Sequence, residues 1–124
     1  MFRPRDSLHM RAMAWSRVVH EPLLVTEYVL FETMNDLSAP IERPIAHQML
    51  SLMTSGDGCE VVWASPTVFN GAVQLHRQRA DREWSLTDCA SFQLMYERGI
   101  TRALAFDHHF EQAGFEALLR RDPP

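Results

Sequence analysis

The sequence predicts a three-layer α/β/α sandwich built around a mainly parallel sheet. Two observations predict this fold: helix and strand signals alternate along the chain, and the strand segments are apolar at nearly every position. A strand that is apolar throughout is typical of a parallel sheet with helices on both faces. The 124 residues are enough for one domain with a substantial core and too few for two. We therefore expect a single domain over residues 1–124.

The predicted strands are four short apolar segments. They are residues 23–25, 61–64, 100–106 and 115–119, and the last of them has the weakest pattern. Each of the first two stands directly before a hydroxyl residue that can begin a helix. In a parallel sheet of this kind, ligands bind beyond the carboxyl ends of the strands.

The helices are predicted from apolar side chains that recur every three or four residues. The stripes are Leu8, Ala12, Trp15 and Val19; Val29, Leu30, Thr33, Met34 and Leu37; Ile45, Met49, Leu52 and Met53; Phe69, Ala72, Val73 and His76; and Cys89, Phe92 and Tyr96. Three of these stripes follow residues suited to N-caps, which are Thr26, Ser65 and Ser85. Pro66 fits the first position of its helix, and Gly99 fits the position just after the end of another.

The composition is that of a folded cytoplasmic protein. Hydrophobic residues make up 46% and charged residues 23%, which argues against disorder. No apolar run approaches the ~20 residues that span a bilayer. The basic start of the chain is not followed by the apolar segment of a signal peptide. Cys59 and Cys89 have no Cys-x-x-Cys spacing and are expected to be reduced.

All 12 basic residues are arginines, because the sequence contains no lysine. A P-loop needs a lysine on the phosphates, so that class of nucleotide-binding protein is excluded. The planar guanidinium of arginine binds phosphate well, so a chain of net charge −4 can still bind nucleic acid locally. A GC-rich coding sequence explains the arginine bias equally well.

Three acidic residues are predicted to meet at one edge of the sheet. Asp107 directly follows the strand 100–106, and Asp88 lies in the first turn of the antiparallel helix before it. That helix descends ~15 Å at 1.5 Å per residue, and the strand climbs back ~20 Å. Glu32 lies in the second turn of the helix after the first strand, near the same edge. The sequence therefore predicts a cluster of Glu32, Asp88 and Asp107.

A carboxylate cluster of this kind predicts a divalent metal site. Mg²⁺ and Mn²⁺ prefer carboxylate and water oxygens, and such an ion activates water and stabilises the charge of a phosphodiester displacement. Without a cation the carboxylates would repel one another and raise each other's pKa. We therefore expect the three residues to act as metal ligands and as the catalytic residues of a hydrolase.

Each acidic residue also has an interpretation without metal. Ser85 and Asp88 have the spacing of a helix-capping box. Asp107 fits a solvated turn before His108 and His109, and Glu32 could pair with an arginine. The two adjacent histidines lack the helical spacing of a zinc pair, so we do not predict a zinc site there.

Three segments of the chain resemble successive blocks of a known family. Residues 24–33, 85–92 and 100–110, followed by Ala113, Gly114 and Phe115, are similar to PIN domains. The VapC-like toxins of bacterial toxin–antitoxin systems are the most similar group. The resemblance covers nearly the whole chain, with the blocks in the expected order, and it implies a PIN-like fold.

The resemblance implies a Mg²⁺- or Mn²⁺-dependent endoribonuclease that is the toxin of a type II toxin–antitoxin system. Glu32, Asp88 and Asp107 match the family's acidic positions, and Ser85 and Thr26 match polar positions beside the site. The implied partners are an RNA substrate, a cognate antitoxin protein and a second copy of the chain in a homodimer.

The sequence departs from the family at its start. Family members begin with a strand that ends in the first metal-binding aspartate, whereas here Asp6 falls in the stretch after that strand and suits a helix cap. The resemblance therefore implies that the first strand is missing, through a misassigned start codon or a truncated gene. The alternative function is a catalytically impaired PIN domain that acts only in binding or oligomerisation. A DNA-directed nuclease of similar fold is a third possibility.

Overall fold

The computed structural model describes Arg11, Ala14, Trp15 and residues 18–124. Contacts between residues group the chain into two compact units. We call Glu21–Ser91 the central unit, and we call the described part of Met1–His20 together with Phe92–Pro124 the terminal unit. The expectation of a single domain over residues 1–124 stays a prediction.

The central unit contains a parallel pair of strands connected by two helices. Its elements are β1 (Leu23–Thr26), α1 (Glu27–Asp36), α2 (Arg43–Thr54), β2 (Cys59–Val62), α3 (Pro66–Gln78) and the first residues of α4 (Leu86–Arg98). Leu23 lies opposite Cys59, and Thr26 lies opposite Val62. Parallel pairing places the carboxyl ends of β1 and β2 at the same edge.

The terminal unit contains a second, shorter parallel pair. After the remainder of α4 it has β3 (Arg102–Ala103), α5 (His108–Gln112), β4 (Glu116–Ala117) and a single 3₁₀ turn over Leu118–Arg120. β3 and β4 are paired in parallel, Arg102 with Glu116 and Ala103 with Ala117. The structure confirms a mixed α/β fold with parallel strands. The predicted N-terminal helix is confirmed at Trp15, whereas Leu8, Ala12 and the proposed gap before them lie outside the described residues.

The predicted helix caps are confirmed. The Thr26 hydroxyl accepts a hydrogen bond from the amide of Val29 at 3.2 Å, which satisfies a donor that a helix start otherwise leaves unpaired. Ser65 does the same for Val68 at 3.1 Å, with Pro66 as the first helical residue. These local signals determine where α1 and α3 begin.

The strand prediction at 61–64 was wrong by two residues, because β2 begins at Cys59 and ends at Val62. The backbone leaves the strand where the amide of Ala64 donates to the carboxylate of Glu27 at 2.9 Å. Trp63, predicted to be buried, is 57% exposed. The central strands are also less covered than predicted, since Leu23 is 39% exposed.

The strand prediction at 100–106 was too long, because β3 contains only Arg102 and Ala103. At its start, the amide of Ile100 donates to the carbonyl of Met95 at 2.9 Å and so completes the end of α4. Gly99 adopts φ 67° at this point, the left-handed conformation that closes a helix. The fourth strand is likewise reduced to Glu116–Ala117.

The two units have different cores. The terminal unit has an aromatic cluster in which Phe92, fully buried, contacts Phe110 edge-to-face at 4.8 Å and Phe115 at 5.7 Å. The central unit buries Leu30 and Trp84 together with small residues such as Ala46 and Ala72, while Leu52 remains 67% exposed.

The predicted apolar stripe of α2 is therefore only partly correct. Ala46 packs at 1% exposure, whereas Ile45 is 56% exposed and Ile41, just before the helix, is 86% exposed. The small alanine side chain brings the helix close to its neighbours, and the larger side chains beside it face outward. None of the helices in the described part of the chain is long and apolar enough to cross a membrane.

Candidate functional site

Glu32 lies on α1 and is held by a residue that the sequence analysis did not identify. The hydroxyl of Thr87 donates to Glu32 Oε1 at 2.9 Å. Thr87 is the residue before Asp88, in the first turn of α4. The contact therefore brings two of the predicted acidic residues into the same region of the central unit. No local signal predicts it, because the two partners are 55 positions apart.

Ser85 and Asp88 form the predicted capping box. The amide of Asp88 donates to Ser85 Oγ at 3.0 Å, and the amide of Ser85 donates to Asp88 Oδ2 at 3.2 Å. The structural interpretation of this pair is confirmed. A carboxylate accepts several hydrogen bonds or ligands at once, so a capping aspartate can also contact a cation.

Thr26, a predicted polar residue beside the site, is 2% exposed and acts as the N-cap of α1. The next residue, Glu27, accepts from the amide of Ala64 at 2.9 Å and connects α1 to the end of β2. Both contacts fix the N-terminal end of the helix that carries Glu32.

Asp107 lies in the terminal unit and is the N-cap of α5. Its Oδ1 accepts a hydrogen bond from the amide of His109 at 3.0 Å, with the backbone extended at φ −66° and ψ 133°. Because β3 ends at Ala103, the prediction that Asp107 directly follows a strand was wrong. The alternative prediction, that Asp107 lies in a turn before His108 and His109, is confirmed, and this turn is the start of a helix that Asp107 caps.

Arg120 fixes the segment before Asp107. Its Nη1 donates to the carbonyl of Phe106 at 2.9 Å, and its guanidinium lies 5.1 Å from the centre of the Phe106 ring. Its Nε pairs with Glu111 on α5 at 2.7 Å. One side chain therefore holds both the residue before Asp107 and the helix that Asp107 begins. Sequence spacing gave no indication of this role.

His108 and His109 surround the same carboxylate. Their Nδ1 atoms lie 3.4 Å and 3.3 Å from Asp107 Oδ1, and the ring centres are 4.6 Å apart. From the sequence, no zinc site was predicted here, because adjacent histidines lack the spacing of a helical zinc pair. They lie in the first turn of α5, which places both imidazoles beside one acid.

The two thiols are free cysteines. Burial raises the pKa of Cys89, and the negative charge of the neighbouring Asp88 raises this pKa further. Burial also raises the pKa of Cys59. Both thiols are therefore protonated at neutral pH, which disfavours a role as nucleophile.

Two of the arginines, a residue type that can bind phosphate, form ion pairs within the central unit. Arg79 donates to Asp81 through Nε at 3.1 Å, and Arg82 lies 3.6 Å from the same carboxyl group. The hydrogen bond from Arg79 holds the pKa of Asp81 below its ordinary value. Arg79 also lies 5.0 Å from the ring centre of the buried Trp84. These contacts support a structural role for both arginines.

Parallel strands joined by helices, with carboxylates at the helix starts, are the features of a PIN-like α/β protein. A solved structure identifies the group within this class: the chain is similar to VapC20 of Mycobacterium tuberculosis, with a TM-score of 0.77 and 25% sequence identity. The match covers 93% of this chain and 88% of that one, which is described as a toxin that cleaves the sarcin–ricin loop. No family model and no curated protein sequence matches. The structural match confirms the predicted resemblance to VapC-like PIN domains.

Proposed function

We propose that the chain is a metal-dependent endoribonuclease, a hydrolase of RNA phosphodiester bonds and the toxin of a type II toxin–antitoxin system. The observation that carries this proposal is the structural similarity to VapC20 over 93% of the chain. Cytoplasmic action on RNA is part of the proposal.

Glu32, Asp88 and Asp107 are the proposed ligands of a Mg²⁺ or Mn²⁺ ion. Three carboxylates are the oxygen donors that these hard cations prefer, so the donor chemistry fits the ion. When bound, such an ion supplies an activated water and stabilises the charge that develops on the phosphate.

The chain's own residues would contribute by holding these carboxylates in place. Thr87 restrains the side chain of Glu32, and the capping box with Ser85 restrains Asp88. Arg120 restrains the segment that leads to Asp107. A site held by such contacts loses less side-chain entropy when it binds its ligand, which favours a defined geometry.

Protein partners are part of the proposal: a cognate antitoxin and a second copy of the chain. Several large apolar side chains in the central unit are exposed, including Phe31, Ile41 and Leu52, at 68%, 86% and 67%. Exposed apolar side chains that form a contiguous patch are typical of protein–protein contacts. Light scattering on the purified chain tests this, and a stable monomer would argue against the dimer.

The nuclease proposal is tested with the purified chain and two RNA probes, a sarcin–ricin-loop hairpin and an unstructured RNA of equal length. Cleavage is expected with Mg²⁺ or Mn²⁺ and is expected to be lost with EDTA and in Asp107→Asn. A DNA oligonucleotide is the control, and preferential cleavage of DNA would contradict an RNA substrate. A folded dimer that neither binds Mg²⁺ nor cleaves RNA would favour the alternative of a catalytically impaired binding module.

A further inference from the structure

Three side chains at the start of α5 have donor atoms of a different kind from the carboxylate ligands proposed above. Asp107, His108 and His109 each offer one ligand atom, and these atoms lie within 4.8 Å of one another. We propose that they form a binding site for a borderline transition-metal ion such as Zn²⁺. The site combines two imidazole nitrogens with one carboxylate oxygen.

Two of the three distances in the group, those from Asp107 to each imidazole, fit tetrahedral coordination. Ligands bound to one tetrahedral ion at 2.0–2.1 Å lie about 3.3 Å apart. Asp107 Oδ1 lies 3.4 Å from Nδ1 of His108 and 3.3 Å from Nδ1 of His109. Both distances between the carboxylate and an imidazole therefore already match this value. Neighbouring ligand atoms around an octahedral Mg²⁺ with bonds of similar length would lie about 2.9 Å apart.

The local fold explains why three consecutive residues point to one place. Asp107 is extended and its side chain turns back over the helix start to accept from the amide of His109. This cap brings the carboxylate to the side of α5 where the imidazoles lie. The side chain of His109 is 17% exposed and that of His108 is 62% exposed. The side chain of His109 is therefore restrained, whereas the side chain of His108 can rotate and bring its ring nitrogen closer to that of His109.

The donor set favours borderline metals over Mg²⁺. Imidazole binds Zn²⁺, Ni²⁺ and Cu²⁺, whereas Mg²⁺ prefers oxygen ligands and water. Three protein ligands leave the fourth tetrahedral position to water. Glu111, the other acidic residue of α5, is paired with Arg120 at 2.7 Å, which leaves Asp107 as the carboxylate next to the histidines.

One consequence rests on the proposed nuclease function. Asp107 is also a proposed ligand of the catalytic Mg²⁺ or Mn²⁺, so a transition metal held by the histidines would engage the same carboxylate. Zn²⁺ is therefore expected to inhibit RNA cleavage at concentrations far below those of Mg²⁺. Replacement of both histidines is expected to relieve this inhibition.

The test of the site uses Co²⁺ as a spectroscopic probe of the intact chain, without RNA. Tetrahedral Co²⁺ gives intense visible absorption, and six-coordinate Co²⁺ gives weak bands. The wild type is expected to give intense bands that Zn²⁺ displaces. A His108→Ala, His109→Ala double variant is expected to bind Co²⁺ at least ~10-fold more weakly, since loss of even outer-shell partners costs this much. His47→Ala, His76→Ala is the matched control, because it removes two exposed histidines elsewhere, and it is expected to bind as the wild type does.

Unchanged Co²⁺ affinity in the double variant would overturn the proposal, and so would weak six-coordinate bands in the wild type. His108→Ala alone replaces an exposed side chain, so weaker binding by this variant with an unchanged circular dichroism spectrum separates ligand loss from misfolding. Because binding is measured without RNA, an inactive nuclease would leave this result intact.

Discussion

The starts of α4 and α5 are both held by an aspartate side chain, but the side chains around the two aspartates differ. At each, an aspartate accepts a backbone amide: Asp88 from Ser85 in a capping box, and Asp107 from His109 as an N-cap. Around Asp88 the neighbours include the hydroxyl group of Ser85, and Thr87, the residue before Asp88, contacts Glu32. Around Asp107 the neighbours are two imidazoles.

The two helix starts hold their carboxylates by similar hydrogen bonds but place them among different donor groups. Because hard cations prefer oxygen donors and borderline metals also bind imidazole nitrogen, we expect the start of α4 to favour Mg²⁺ or Mn²⁺ and the start of α5 to bind Zn²⁺ as well.

The largest effect on RNA cleavage is expected when the charge of Asp88 or Asp107 is removed while its hydrogen bond to the helix start is kept. Asparagine caps helices about as well as aspartate at the position of Asp107, and at position 88 its side-chain oxygen can still accept the amide of Ser85 in the capping box. Asp88→Asn and Asp107→Asn are therefore expected to keep wild-type stability in urea but to reduce RNA cleavage at least ~100-fold, more than the loss of an outer-shell partner costs. Single-turnover cleavage and urea unfolding are measured together. An Asn variant that cleaves at the wild-type rate would remove that residue from the proposed site.

The second-largest effect on cleavage is expected from variants of Thr87. We expect this residue to act by positioning Glu32 and not by contacting the substrate. Thr87→Val removes the hydroxyl at constant shape and is expected to raise the Mg²⁺ concentration for half-maximal cleavage about 10-fold. Thr87→Ser restores a hydroxyl and is expected to restore the wild-type value. Thr33→Val is the control, because it removes a hydroxyl that bonds only within α1, at 2.8 Å to Val29. Equal behaviour of the Val and Ser variants would disprove the positioning role.

A smaller effect is expected at Arg120, the corresponding support for Asp107. Arg120→Met removes the contacts with Phe106 and Glu111 and is expected to cost about 1 kcal/mol of unfolding free energy. Cleavage and Co²⁺ binding are both expected to weaken a few-fold. Arg121→Met is the control, because Arg121 pairs with Glu116 at 2.8 Å instead. If both variants weaken Co²⁺ binding equally, the effect is not specific to Asp107.

The smallest effect concerns the thiol beside Asp88. Burial and the Asp88 charge raise the pKa of Cys89 above its ordinary value, so less thiolate is present at neutral pH than in a free cysteine. Alkylation by iodoacetamide is expected to be slow at pH 7.5 and faster as the pH rises above 9. In a Cys59→Ser background, Asp88→Asn is expected to lower this pKa and to accelerate the reaction. Unchanged kinetics would show that access alone limits alkylation.

Local sequence signals predicted the parts of the fold that depend on neighbouring residues. Thr26, Ser65 and the Ser85–Asp88 box were all identified correctly, because a cap involves residues only a few positions apart. The α/β class followed from the alternation of helices and apolar strands. The resemblance to VapC-like domains was also available from the sequence.

Contacts between distant residues could not be predicted in the same way. Thr87 and Glu32 are 55 positions apart, and Arg120 and Phe106 are 14 apart. The predicted strand 100–106 was too long because its apolar pattern does not reveal that the end of α4 uses the amide of Ile100. The grouping of both imidazoles around Asp107 could not be predicted from linear spacing, because it depends on an N-cap that folds the aspartate back over a helix start.

Arg120 follows Phe106 in the chain, and this order matters during translation. A nascent chain that has already exposed Asp107 lacks the side chain that holds the preceding residue until Arg120 has left the ribosome. The segment before Asp107 therefore gains this contact only after residue 120 has been synthesised. In the proposed ribonuclease, the position of Asp107 would thus depend on residues that are translated after it.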